Sequence, residues 1–160
     1  ARLLRDDPIL FVCIGGGAKR EPLMARVEAE GLSNFRFLPY QEKSVLPYSL
    51  TASDLSLVSV AVGMESLVAP SKLYPAMAAG RPISAICPPS SYLGELLKAA
   101  GCGETFENGA AAALAEFIRG LSQDKARTQL LGRSGRAYLE SHFTPKIIAK
   151  EYLKVIEPVG

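Results

Sequence analysis

Ser71 and Lys72 carry the sharpest chemistry in the chain. They follow Pro70 at the end of a long loop, residues 61–70, and the pattern predicts a helix from Ser71 to about Ala79, stopped by Gly80. A helix N-terminus presents N–H groups without intrahelical partners and bears partial positive charge. Lys72 adds a full ammonium at the same place, so the corner suits an anion, phosphate above all. The plainer alternative is an N-capping serine beside a solvated lysine. The loop is longer than a simple connection needs, which favours a ligand. Its one acid, Glu65, is either a solvated loop residue or an acceptor for sugar hydroxyls.

Two other segments compete for a ligand. Gly15-Gly16-Gly17 runs into Ala18-Lys19-Arg20, where a dinucleotide fingerprint would need glycine at position 20, and no P-loop occurs. The glycines serve either a close backbone approach to a ligand or a tight structural turn. Leu38-Pro39-Tyr40-Gln41 is a turn whose backbone can meet a base edge, with Tyr40 packing beside it. The remaining candidates read as structural. His142, the single histidine, ends a helical pattern and complements that helix dipole. Arg133 and Arg136 share a solvated helix face. Cys13, Cys87 and Cys102 are odd in number and lack metal-ligand spacing. They read as small buried hydrophobes in a reducing compartment, which points to the cytoplasm.

The elements that must position these residues alternate. Strands are expected at Ile9–Ile14, Asn34–Leu38, Leu55–Val60, Pro82–Ile86 and Thr105–Glu107. Helices are expected at Pro22–Glu30, Pro47–Ser53, Tyr92–Ala100 and Ala111–Leu121, the last with Asn108 as its N-cap. Two helices, Asp124–His142 and Pro145–Ile156, complete the chain. The continuous apolar run Ile9–Ile14 is typical of a parallel strand covered on both faces. The alternation gives an α/β fold: a Rossmann-like parallel sheet sandwiched by helices, with extra C-terminal helices. Ligands in such sheets bind outside the carboxyl ends of the strands, where the loops at 15–20, 38–43 and 61–72 gather.

Composition sets outer bounds. The chain has 160 residues, 48% hydrophobic and 21% charged, enough for one domain with a sizeable core. A formal net charge of +2 gives no reason to invoke nucleic acid. No apolar run reaches transmembrane length.

Taken together, Gly15-Gly16-Gly17, Phe37-Leu38-Pro39-Tyr40-Gln41, Ala52-Ser53-Asp54-Leu55, Pro70-Ser71-Lys72-Leu73 and Ala78-Ala79-Gly80-Arg81-Pro82 resemble the C-terminal, nucleotide-sugar-binding half of a GT-B glycosyltransferase. The likeness is to glycosyltransferase family 4, in its colanic-acid or exopolysaccharide branch. It implies a single donor-binding domain over residues 1–160. The domain's first strand, the N-terminal acceptor domain and the catalytic histidine would precede Ala1. It implies a UDP-sugar donor ahead of a GDP-sugar, no metal, no cofactor and retention at the anomeric carbon. The acceptor would be lipid-linked or an oligosaccharide, the site of action the cytoplasm or the inner face of its membrane, and the isolated domain inactive.

Carried onto this sequence, the resemblance puts Pro39 and Tyr40 at the base and Gly16 and Gly17 beside the ligand. Leu67, Val68, Ala69, Pro70, Ser71 and Lys72 would hold the donor sugar and phosphates, with Lys72 stabilising the diphosphate. Two glutamates of the broad family fall here on Leu67 and Pro75. Ribose contacts therefore come from elsewhere, and Glu65 stands in for the first glutamate. Half of a nonhydrolysing sugar-nucleotide epimerase, or a non-catalytic nucleotide-binding module, are the alternatives on the same scaffold.

Overall fold

The fold is α/β as expected, its parallel strands divided among the described residues into two sheets. The structure, a computed structural model, describes residues 1–61, 63–64 and 71–156. β1 (Phe11–Ile14) pairs with β2 (Phe35–Leu38), Phe11 opposite Phe35 and Ile14 opposite Leu38. β3 (Ser56–Ser59), β4 (Ile83–Ile86) and β5 (Gly103–Phe106) form a second sheet in that order. The expected strands are all present, the fifth starting two residues earlier than the pattern suggested.

The helices alternate with the strands as expected: α1 (Arg20–Ala29), α2 (Leu46–Ala52), α3 (Leu73–Ala78), α4 (Tyr92–Ala100), α5 (Ala111–Gln123), α6 (Lys125–His142) and α7 (Pro145–Ile156). α4 shows why its sequence is helical. Leu93, Leu96, Leu97 and Ala100 make one buried stripe at helical spacing. Ser91 caps its start by accepting from the Gly94 N–H, and Gly101 ends it in the left-handed conformation. A short 3₁₀ turn, Arg2–Leu4, has no signature in the sequence and buries Leu4.

The larger core lies on one face of β3–β5. Val58, Ile83 and Ala85 meet Leu73 and Met77 of α3 and Leu93 and Leu97 of α4, with Tyr138 and Leu139 of α6 packed against them. α6 closes this layer through two glycines. A Cβ on Gly132 would lie 2.1 Å from the Gly80 carbonyl oxygen, and one on Gly135 would lie 2.8 Å from the Cys102 Cβ. On the other face, α5 reaches both sheets. Its Ala115 and Ile118 cluster with Leu4, and Phe11 of β1 and Leu55 just ahead of β3 pack against them; its Phe117 and Leu121 cluster with Phe106 of β5, and Ile86 of β4 packs there. Asp7 and Arg119 fasten the chain ahead of β1 to the same helix through two hydrogen bonds of 3.1 Å.

Several expectations need correction. Val12 and Ile14 are exposed, so the apolar run at β1 is not covered on both faces. Burial alternates along the strand, Phe11 and Cys13 partly covered and Val12 and Ile14 exposed, so only one face of β1 is packed within the described residues. Separately, β1 and β3 each have one free edge there. α1 begins at Arg20 rather than Pro22, and Pro22 takes its third position. Asn108 does not cap α5. The cap position is Ala110, reached after a turn at Gly109 (φ +96°), and no side chain accepts there. Cys87 and Cys102 are buried as expected, whereas Cys13 is only partly so.

Candidate functional site

The loops that leave the carboxyl ends of β1 and β2 lie in contact. The Gly15 N–H donates to the Leu38 carbonyl at 3.1 Å, the last rung between the two chains. Beyond it, Gly15 (φ +102°) and Gly17 (φ +130°) adopt backbone conformations that other residues enter only with strain. Tyr40 then folds its ring onto the glycines. A Cβ at Gly15 or at Gly16 would lie 3.1 Å from a ring carbon of Tyr40. The outer side of that ring is open, with the residue 80% exposed. Gly16, Gly17, Pro39 and Tyr40, four of the residues singled out from sequence, thus stand at one place. The glycines serve the turn and the ring together.

Arg20 belongs to this corner and has no counterpart among the sequence candidates. Its Nη1 donates to the Gly15 carbonyl at 2.6 Å and to the Leu38 carbonyl at 3.3 Å. Its guanidinium carbon sits 5.3 Å from the centroid of the Phe37 ring. The signal was visible only as the residue where a fingerprint glycine was missing.

The second corner is the start of α3. Leu73 is fully buried and Met77 follows it into the core, so the helix is anchored by its apolar face. Ser71 and Lys72 form the turn before it and are exposed. The helix is shorter than expected, six residues rather than nine, and Ser71 is not its cap. The Ala76 N–H donates to the Lys72 carbonyl, which makes Lys72 the capping position, with no side-chain cap. Pro75 is the third helical residue and brings no N–H. The groups left at this corner are the Leu73 and Tyr74 amides of the first turn and the Lys72 ammonium. Glu65, Leu67, Val68, Ala69 and Pro70 lie outside the described residues.

Tyr74 and Tyr92 link the first turns of α3 and α4 through their hydroxyls, 3.2 Å apart. Burial, with the Tyr74 contact second, pushes the Tyr92 phenol up to about 12. His142 is committed to the end of α6, as expected. Its Nδ1 is 3.0 Å from the Tyr138 carbonyl, and its ring stacks on Tyr138 at 4.0 Å. Arg136 bonds Glu140 and donates to the Ala78 carbonyl at 3.1 Å, so it also finishes α3.

Other proteins share both this fold and its sequence. The chain is 26% identical over 161 residues to WbjE of Pseudomonas aeruginosa, named as a probable glycosyltransferase, covering 99% of this chain and 39% of that protein. It is 36% identical over 77 residues to WcaI of Escherichia coli K12, named for colanic acid biosynthesis as a glycosyl transferase, covering 48% of this chain and 19% of that one. The chain thus spans about two fifths or less of these relatives. Among solved structures, Anabaena HepE in complex with UDP superposes with a TM-score of 0.77 at 18% identity, over 97% of this chain and 43% of that one. HepE is also solved with UDP-glucose. The folds agree in the Rossmann-like half of a GT-B architecture. The sequence model of the glycosyl transferases group 1 family matches residues 1–138, and the chain belongs to that family.

Proposed function

We propose that this chain is the donor-binding half of a glycosyltransferase that uses a nucleoside-diphosphate sugar, UDP ahead of GDP. The observation that carries this is the pairing of the glycine turn after β1 with Pro39 and Tyr40 after β2. It forms a flat aromatic surface beside a side-chain-free backbone at the carboxyl ends of parallel strands, where ligands of such sheets bind. A base lies against Tyr40, and the diphosphate reaches towards Ser71 and Lys72 at α3. Gly16 and Gly17 border the ligand. Leu67 to Pro70, with Glu65, hold the sugar. HepE, of the same fold, is solved with UDP and with UDP-glucose, which supports the same ligand class here. Membership in the family favours transfer over the epimerase half and over a non-catalytic module.

In glycosyl transfer the bond between the anomeric carbon and the diphosphate oxygen breaks, and negative charge grows on the departing diphosphate. A fixed ammonium and preorganised amides stabilise that charge more in the transition state than in the ground state, which accelerates the step. Lys72 supplies this role without a metal. The acceptor, a lipid-linked or oligosaccharide hydroxyl in exopolysaccharide synthesis, and the stereochemical course of retention belong to the complete enzyme. We place its acceptor domain ahead of residue 1, together with one more strand of this domain. The free edges of β1 and β3 support that strand, with Phe11 of β1 and Leu55 just ahead of β3 packed against one cluster that includes Ala115 and Ile118 of α5. Lys72→Ala should weaken UDP binding by about 1–3 kcal/mol, the usual worth of a charge-assisted contact. Calorimetry that finds the UDP affinity unchanged in this variant would refute the assignment.

A further inference from the structure

The Arg20 side chain touches the ends of both strands beneath the glycine turn. Its two hydrogen bonds close on the Gly15 and Leu38 carbonyls, the two residues already joined by the last rung between the chains. Its guanidinium face lies over Phe37, which fixes the plane of the fork. Past this rung the two chains part, one into Gly16–Lys19 and the other into Pro39–Gln41. Tyr40 returns across the gap onto Gly15 and Gly16. An aromatic ring this exposed has no core to hold it. Its orientation depends on the surface below it, and that surface is the turn that Arg20 ties down.

We propose that Arg20 is a positioning residue of the donor site, one that sets the attitude of Tyr40 through the glycine turn and so governs recognition of the nucleobase rather than of the phosphates. The inference rests on the donor-site reading above. Arginine is favoured by the ring: both bonds leave from one nitrogen, Nη1, which a lysine ammonium imitates, whereas only the planar guanidinium makes them while laying its face on Phe37. Gly16 offers an independent perturbation of the same contact. Its φ is ordinary, so alanine is permitted by the backbone, and the group its Cβ would meet is the Tyr40 ring edge, the movable end of a side chain. Gly16→Ala should therefore tilt Tyr40 and leave the fold in place.

The test uses the complete enzyme and three ligands in competition calorimetry: UDP, uridine and inorganic pyrophosphate. Arg20→Lys and Gly16→Ala are each expected to lose roughly tenfold in affinity for UDP and for uridine, the lower part of the range for a base on an aromatic ring. Both should keep pyrophosphate affinity and thermal midpoint. The double variant should lose no more than the larger single loss, because both act on one contact. Arg20→Lys with unchanged uridine affinity, or with pyrophosphate affinity falling in step, overturns the proposal, the latter because it makes Arg20 a phosphate ligand. If Arg20→Lys fails to fold, Gly16→Ala decides by the same two readouts. An unaltered enzyme that binds neither UDP nor uridine refutes the donor-site reading itself, a distinct result.

Discussion

Two glycines in helix interiors should answer the same substitution with opposite signs. Gly132 of α6 faces the backbone at the end of α3. A Cβ there would stand 2.1 Å from the Gly80 carbonyl oxygen, 2.8 Å from its carbon and 3.3 Å from the Arg81 nitrogen. Ordinary carbon–oxygen contact begins near 3.2 Å, so about 1 Å must open between two stretches of backbone, neither of which can rotate aside. α6 would then lift, and Tyr138, Leu139 and Phe143, which seal the larger core from this side, would lift with it. Overpacking of this kind costs about 1–3 kcal/mol, and alanine returns about 1 kcal/mol of helix propensity. Taking the upper part of the overpacking range, Gly132→Ala should be net destabilising by about 1–2 kcal/mol. Gly120 of α5 is the control, since its Cβ would meet only the Arg127 Nη1 at 3.8 Å, an ordinary contact. Gly120→Ala should stabilise by up to about 1 kcal/mol from propensity alone. For a chain of this length each kcal/mol moves the melting midpoint by roughly 2–4 °C. Thermal unfolding followed by circular dichroism gives both signs. A stabilising Gly132→Ala would show that the helices part without loss and would refute the argument.

The other expectations concern ionisation and the sheet edges. Burial pushes the Cys102 thiol up from 9.0 to about 11. A folded-state value above the unfolded one contributes stability present below pH 9 and lost as pH rises through about 11. Urea unfolding between those limits should therefore show a loss on the order of 1–3 kcal/mol that Cys102→Ala removes, and parallel pH curves for the two proteins would contradict this. The Phe11 and Gly15 N–H groups point to β2 and those of Ser56 and Val60 to β4, so Val12, Ile14, Leu57 and Ser59 direct theirs to the free edges. Their amides should exchange freely with deuterium in residues 1–160 alone. They should be protected in a longer protein that inserts a strand there, and equal exchange in both would remove the inserted strand.

Much of the architecture was legible because it depends on local pattern. The five segments read as strands became strands, and the Leu93–Ala100 stripe between Ser91 and Gly101 became the helix its spacing demanded. What could not be read depends on the chain far away. Ile9–Ile14 has the composition of a doubly covered strand, and only the packing around it reveals that the face carrying Val12 and Ile14 is bare. Ser71 is a good capping residue by type, yet the first helical bond closes on Lys72, and no local preference distinguishes two such adjacent positions. Gly16 and Tyr40 were each legible as candidates, but their contact was not. Arg20 was passed over because its work is done on carbonyls, which every residue has.

The reach of α5 across both sheets bears on how the molecule is made. Residues 111–123 come after all five strands in chain order, and the contacts they supply to Phe11, Leu55 and Phe106 span large separations. The Asp7–Arg119 pair alone closes a loop of 112 residues. On a ribosome, the β1–β2 layer therefore emerges with its Phe11 face uncovered and waits for α5. Non-local closure of this type slows folding and lengthens the interval in which apolar edges meet other chains. Expression yield should accordingly respond to changes in α5, on its Leu114–Ile118 face, more than to changes of equal size in α7.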